Sequence, residues 1–262
     1  MGQTGVALSL ALLAGLATAV GGAIGVSQRR MSTRFLAGSL GFSAGVMLYV
    51  SFVELLAMAQ KTLTSEFGGG GPWWTMAGFF GGILLIGVID RLVPAVINPH
   101  ELSGSDDAAD RRRGRMMRTG ALTAGALAIH NFPEGFAVFL AATQTPAVAV
   151  PVVVAIAIHN IPEGIAVAVP VAYATGSRRK GFYYSLLAGL AEPVGALVGF
   201  LVLQAFLGPV AMAIAFAGVA GIMVFVSLDE LLPAAHDFGH HHTTIYGLVA
   251  GMAVMGASLA ML

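Results

Sequence analysis

The chain is a succession of long apolar runs divided by short polar ones. Eight of these runs approach the roughly 20 residues that a helix needs to cross hydrocarbon. They cover about 6–26, 34–58, 73–97, 118–141, 147–173, 181–206, 209–233 and 243–261. Each is predicted to be a transmembrane helix, so the expected fold class is an all-α membrane protein, one polytopic domain over 1–262. The first run has no basic residue ahead of it and extends from Val6 to Val26, too long for a typical signal-peptide core. It reads as the first span. Glycines such as Gly15, Gly22, Gly41, Gly45, Gly78 and Gly82 are expected to let helices approach closely.

Only 10% of the residues are charged, against about 25% in an ordinary soluble domain. The positions of the charges then orient the spans. Arg29, Arg30 and Arg34 flank the first loop, Arg91 and Arg111 to Arg118 flank the third, and Arg178, Arg179 and Lys180 fill the fifth. Lys61 alone stands at an even-numbered loop. The positive-inside rule puts the odd loops, including 98–117, in the cytoplasm and both termini outside. A formal net charge of zero gives no sign of nucleic-acid binding. With no cysteine in the chain, disulfides and thiolate metal sites are excluded. A bound metal would be held by nitrogen and oxygen, which suits zinc, iron, manganese or cobalt better than copper(I).

Two internal likenesses stand out. Gly45 to Leu56 in span 2 aligns with Gly221 to Leu232 in span 7, and His130-Asn-Phe-Pro-Glu-Gly135 in span 4 matches His159-Asn-Ile-Pro-Glu-Gly164 in span 5. The members of each pair cross in opposite directions by the span count. This is the mark of an inverted repeat, which in transporters places the substrate site near the midplane.

The paired motif carries the chemistry. His130 and Glu134 stand one helical turn apart, with Asn131 beside them; His159, Asn160 and Glu163 repeat the set, and Glu192 adds a third carboxylate from span 6. Pro133 and Pro162 cannot donate to the carbonyls of Ile129 and Ile158, which are left available. Ionisable groups at membrane depth are costly and usually functional. Three carboxylates beside two imidazoles make poor neighbours unless a cation lies among them, and together they offer ligands for one divalent ion or for two that share bridging glutamates. Helix-to-helix hydrogen bonding explains one such motif, but the carboxylates here outnumber the donors.

These residues resemble the ZIP (Zrt/Irt-like) family of metal transporters, in its bacterial ZupT-like branch. The likeness runs from the doubled HNxPEG through LAGLAEPVGAL and GIMVFVSLDELLP to the final YGLVAGMAVMGASLAML. It implies eight helices in a 3+2+3 arrangement in the bacterial inner membrane, importing metal to the cytoplasm. The cargo would be Zn2+ first, with Fe2+, Mn2+, Co2+ or Cd2+ as further substrates. It also implies a binuclear site between spans 4, 5 and 6: His130, Glu134, His159 and Glu163 at one metal, and Asn131, Asn160 and Glu192 with the shared Glu134 and Glu163 at the other. No catalytic cofactor is implied; the partners are metal ions and the bilayer, and a homodimer is compatible with the sequence.

Further acids could serve the ends of the path. Asp90, Asp229 and Glu230 lie where span 3 and span 7 reach the cytoplasm, and Glu54 lies toward the outside. His236, His240, His241 and His242 make the loop before span 8 a candidate metal-holding loop. Two other functions fit parts of the pattern: a membrane-embedded metalloenzyme, and a proton-coupled transporter of a small organic solute. The first lacks an HExxH sequence or an evident nucleophile, and the second leaves the matched histidines and asparagines unexplained.

Overall fold

A computed structural model of the chain describes residues 3–27, 32–92, 146–203 and 208–261, together with 124–142 apart from 126, 129, 130 and 133. Among the described residues every regular element is helical. Helix α1 spans Gln3–Ser27 and α2 spans Thr33–Val50. Ser32 caps α2 by accepting the Phe35 amide hydrogen. A π turn at Ser51–Leu55 carries α2 into α3, Leu56–Phe67. Gly68 then takes φ of 53°, a left-handed conformation open to glycine, and a 3-10 turn leads to α4, Gly71–Leu92. Helix α5 occupies the described positions of 124–142. Helix α6 runs unbroken from Pro146 to Thr175, through Pro162.

Span 6 is divided into α7, Arg178–Gly189, and α8, Ala191–Val198. The break follows from Pro193, which lacks an amide hydrogen and crowds the carbonyl of Gly189 one turn earlier. Helix α9 covers Pro209–Val226, and a π turn at Ser227–Leu231 joins it to α10, Leu232–Asp237. Helix α11, His241–Met261, closes the chain. The two stretches that looked alike in sequence thus share a local structure: an 18-residue helix, a five-residue π turn, and more helix. In each, a buried serine donates back to a methionine carbonyl at 2.7 Å, Ser51 to Met47 and Ser227 to Met223.

Among the described residues, six helical stretches are long and apolar enough to cross a membrane: Gly5–Ser27, Thr33–Ile89, Val152–Thr175, Arg178–Leu201, Pro209–Asp237 and His241–Ala260. Thr33–Ile89 is 57 residues long, more than a single crossing needs, and α3 packs on α4 across its glycine turn. The helix of span 2 continues to Phe67, well past the expected end near 58, because nothing before Gly68 interrupts it. The loop 98–117, the start of span 4 and the end of span 3 lie outside the described residues.

Close helix packing follows from glycine, and it recurs in matched pairs. Gly15 of α1 and Gly189 of α7 face each other so closely that a Cβ on either would strike the other's backbone. Gly21 of α1 lies against the backbone of Ile161 in α6, and Gly195 of α8 lies against that of Phe132 in α5. Gly164 of α6 meets Thr18 of α1, just as Gly135 of α5 meets Glu192 of α8. Two glycine contacts between α6 and α1 are therefore repeated between α5 and α8. Elsewhere α2 packs on α11 and α4 on α9, again through glycines: Gly41 and Gly45 against Thr244 and Leu248, and Gly82 against Gly218.

Candidate metal centre

The two paired motifs meet in the interior at mid-helix. His159, Asn160 and Glu163 lie near the centre of the 30-residue α6, where most backbone hydrogen bonds are satisfied within the helix and the polar side chains are left to make a site. Helix α5 supplies Asn131 and Glu134, and α8 supplies Glu192 from its first turn. All six side chains are fully buried.

Their contacts cross between helices. His159 Nε2 and Glu134 Oε1 are 2.8 Å apart, joining α6 to α5. The Asn160 amide donates to Glu192 Oε1 and, at 3.0 Å, to the carbonyl of Ala14 in α1. Asn131 makes the matching bond on the other side, donating to the carbonyl of Ala188 in α7 at 3.1 Å. Asn160 thus fastens α6 to α1, which Gly164 has let in, and Asn131 fastens α5 to α7, the helix just before the α8 that Gly135 has let in. That leaves the carbonyl oxygen of each asparagine available. Among the described residues, Asn131 Oδ1, Asn160 Oδ1 and Glu192 Oε2 are buried acceptors with no hydrogen-bond partner. Burying such oxygens unpaired is unfavourable, and a cation is a partner that satisfies them.

Two residues that sequence reasoning passed over belong to this surround. Ser43, buried on α2, donates to Glu163 Oε1 at 2.8 Å and lies 3.4 Å from the His159 carbonyl oxygen. It is a lone serine in a glycine-rich apolar run, indistinguishable there from a packing residue. Thr18 is fully buried on α1, at the position matched by Glu192 in the paired contacts, and its hydroxyl has no partner among the described residues. Only the three-dimensional correspondence reveals it.

The other candidates divide. His130, Pro133 and the carbonyl of Ile129 lie outside the described residues, as does the side chain of Asp90. Among the described residues no group of three or more His, Cys, Asp and Glu converges as a metal cluster. The described donors include two asparagine amides besides His159 and the three glutamates. Asp229 is exposed and Glu230 half-buried in the π turn Ser227–Leu231, and Glu54 is half-buried in that of Ser51–Leu55. None of the three is among the buried residues of the centre. His236, His240, His241 and His242 gather at the turn between α10 and α11.

Residues 95–259 match the family described as ZIP Zinc transporter. A protein of Corynebacterium glutamicum named "Zinc transporter ZupT" is 62% identical over 256 residues, 97% of each chain. One of Lysinibacillus sphaericus with the same name is 53% identical over 266 residues, 100% of this chain and 99% of the other. A third, of Streptococcus mutans, is 50% identical over 254 residues, 97% and 96% of the two chains. Both HNxPEG motifs fall inside the matched region, as do Glu192 and the π turn Ser227–Leu231. A multi-pass helical membrane protein with this buried donor set and full-length relatives of that name has one reading: the chain belongs to the ZIP family of zinc transporters.

Proposed function

We propose that the chain carries divalent transition-metal ions, zinc first among them, across the bacterial inner membrane into the cytoplasm. Eight helices in a 3+2+3 arrangement would form the single domain, with spans 4 and 5 central. The contacts shared by α1–α6 and α8–α5 support an inverted repeat about the site. His130, Glu134, His159 and Glu163 would hold one ion. Asn131, Asn160 and Glu192, with Glu134 and Glu163 bridging, would hold a second. The protein is a transporter, so the ion is cargo and no catalytic step is required of these residues.

The observation that carries this reading is the burial together of three carboxylates, an imidazole and two amides in the helical interior. Carboxylates at that depth need positive charge, and a divalent ion supplies it while remaining exchangeable. Carboxylate and amide oxygens suit that exchange better than thiolates would.

The test is uptake of radiolabelled zinc by proteoliposomes containing the purified chain. Glu134→Ala and Glu163→Ala are each expected to abolish uptake while the protein remains folded and monodisperse. Undiminished uptake in both variants would exclude this path.

A further inference from the structure

At the turn between α10 and α11 four histidines crowd together, and their contacts sort them into different roles. His240 is tied to α2: its Nε2 lies 3.0 Å from the Thr33 hydroxyl. The ring of His242 stacks on Tyr246 at 6.3 Å with an interplanar angle of 26°. His241, at the start of α11, lies between two other rings: it meets that of His242 edge to face with centroids 5.5 Å apart, and it faces His236, near the end of α10. The Nδ1 atoms of His236 and His241 are 3.4 Å apart, and their rings meet edge to face with centroids 5.2 Å apart.

That nitrogen separation is informative. Hydrogen bonds donated by nitrogen usually span about 2.7–3.2 Å. A tetrahedral ion with metal–nitrogen bonds of about 2.0–2.1 Å requires its ligand nitrogens to stand about 3.3–3.4 Å apart. The pair has the spacing of two ligands more nearly than that of donor and acceptor. The turn also fixes it. Gly239 takes φ of 77°, which glycine permits, and its amide hydrogen bonds the His236 carbonyl at 2.8 Å. The two imidazoles are thus held on separate helices by a short, defined reversal, and both are exposed, so water can fill the remaining positions of an ion.

We propose that His236 and His241 form a two-imidazole clip for one divalent transition-metal ion of borderline softness, separate from the buried centre. His240 and His242 are not ligands: the first anchors α11 to α2, and the second packs on Tyr246. By the orientation proposed above, and resting on that reading in this respect only, the clip stands on the cytoplasmic face. A groove of about 530 Å³ opens at the same end, lined by Ser32, Arg34, Phe35 and Thr243 and reaching Pro162, the residue before Glu163.

The experiment is metal titration of the purified full-length chain in detergent, with Co2+ followed by visible absorption and Zn2+ by equilibrium dialysis. It is run on the wild-type chain and on the Glu134→Ala/Glu163→Ala chain. In both, His236→Ala or His241→Ala is expected to remove one bound ion per chain and the tetrahedral cobalt bands of that ion. His240→Ala and His242→Ala keep it. An unchanged stoichiometry in the His236→Ala/His241→Ala double variant would overturn the clip, as would equal loss from His242→Ala. The wild-type arm retains its meaning if the glutamate variant fails to fold. Because the readout is binding, failure of zinc uptake would count against the transport reading alone.

Discussion

At the scale of single residues, the centre separates what a linear pattern can reveal from what it cannot. Glu134, His159, Asn160 and Glu163 announce themselves because polar groups of that kind are out of place in apolar helices. Ser43 does not, since serine is ordinary in glycine-rich membrane segments and its bond to Glu163 spans distant parts of the chain. That bond aims one carboxylate oxygen and so acts through Glu163. Outer-shell partners of this kind are typically worth about 10- to 100-fold in metal affinity. Ser43→Ala should therefore raise the KM for zinc uptake by roughly tenfold or more with a smaller change in kcat. Ser43→Thr, which keeps the hydroxyl, should restore most of the loss. The zinc dependence of proteoliposome uptake measures both.

At the scale of elements, the helices were legible because hydrophobic runs of bilayer length leave little else to form. Their interruptions were less so. The π turns at Ser51–Leu55 and Ser227–Leu231 carry no proline or glycine of their own, so only their occurrence at matching places shows that they belong to the design. The glycines were legible as packing residues but not in their partners. Gly135 admits the backbone of Glu192, whereas Gly81 of α4 faces open space. Gly135→Ala should cost at least about 1–3 kcal/mol, the usual range for overpacking, because the neighbour is rigid backbone. Gly81→Ala should be neutral or stabilising by up to about 1 kcal/mol. Thermal unfolding of the purified variants should show opposite responses from the same substitution.

At the scale of the molecule, the arginine-bearing loops predict an orientation that the chain's own composition makes easy to test. There is no native cysteine, so a single introduced one reports alone. In intact cells Asp237→Cys should resist a membrane-impermeant maleimide until the membrane is opened, whereas Gln3→Cys should label at once. The reverse pattern would invert the proposed direction of every span. Charge distribution gave this topology to sequence reasoning, but it could not disclose how unlike the two halves are at their core. Where one half offers Glu192, the other offers Thr18. On the two-ion reading, a fully mirrored centre would hold four carboxylates and balance two divalent ions. Threonine stops the described count at Glu134, Glu163 and Glu192, so a doubly loaded centre is left with an uncompensated positive charge. In a medium of low dielectric that surplus is felt strongly. Each arriving ion would then loosen the one already seated, and departure would be driven by the next arrival.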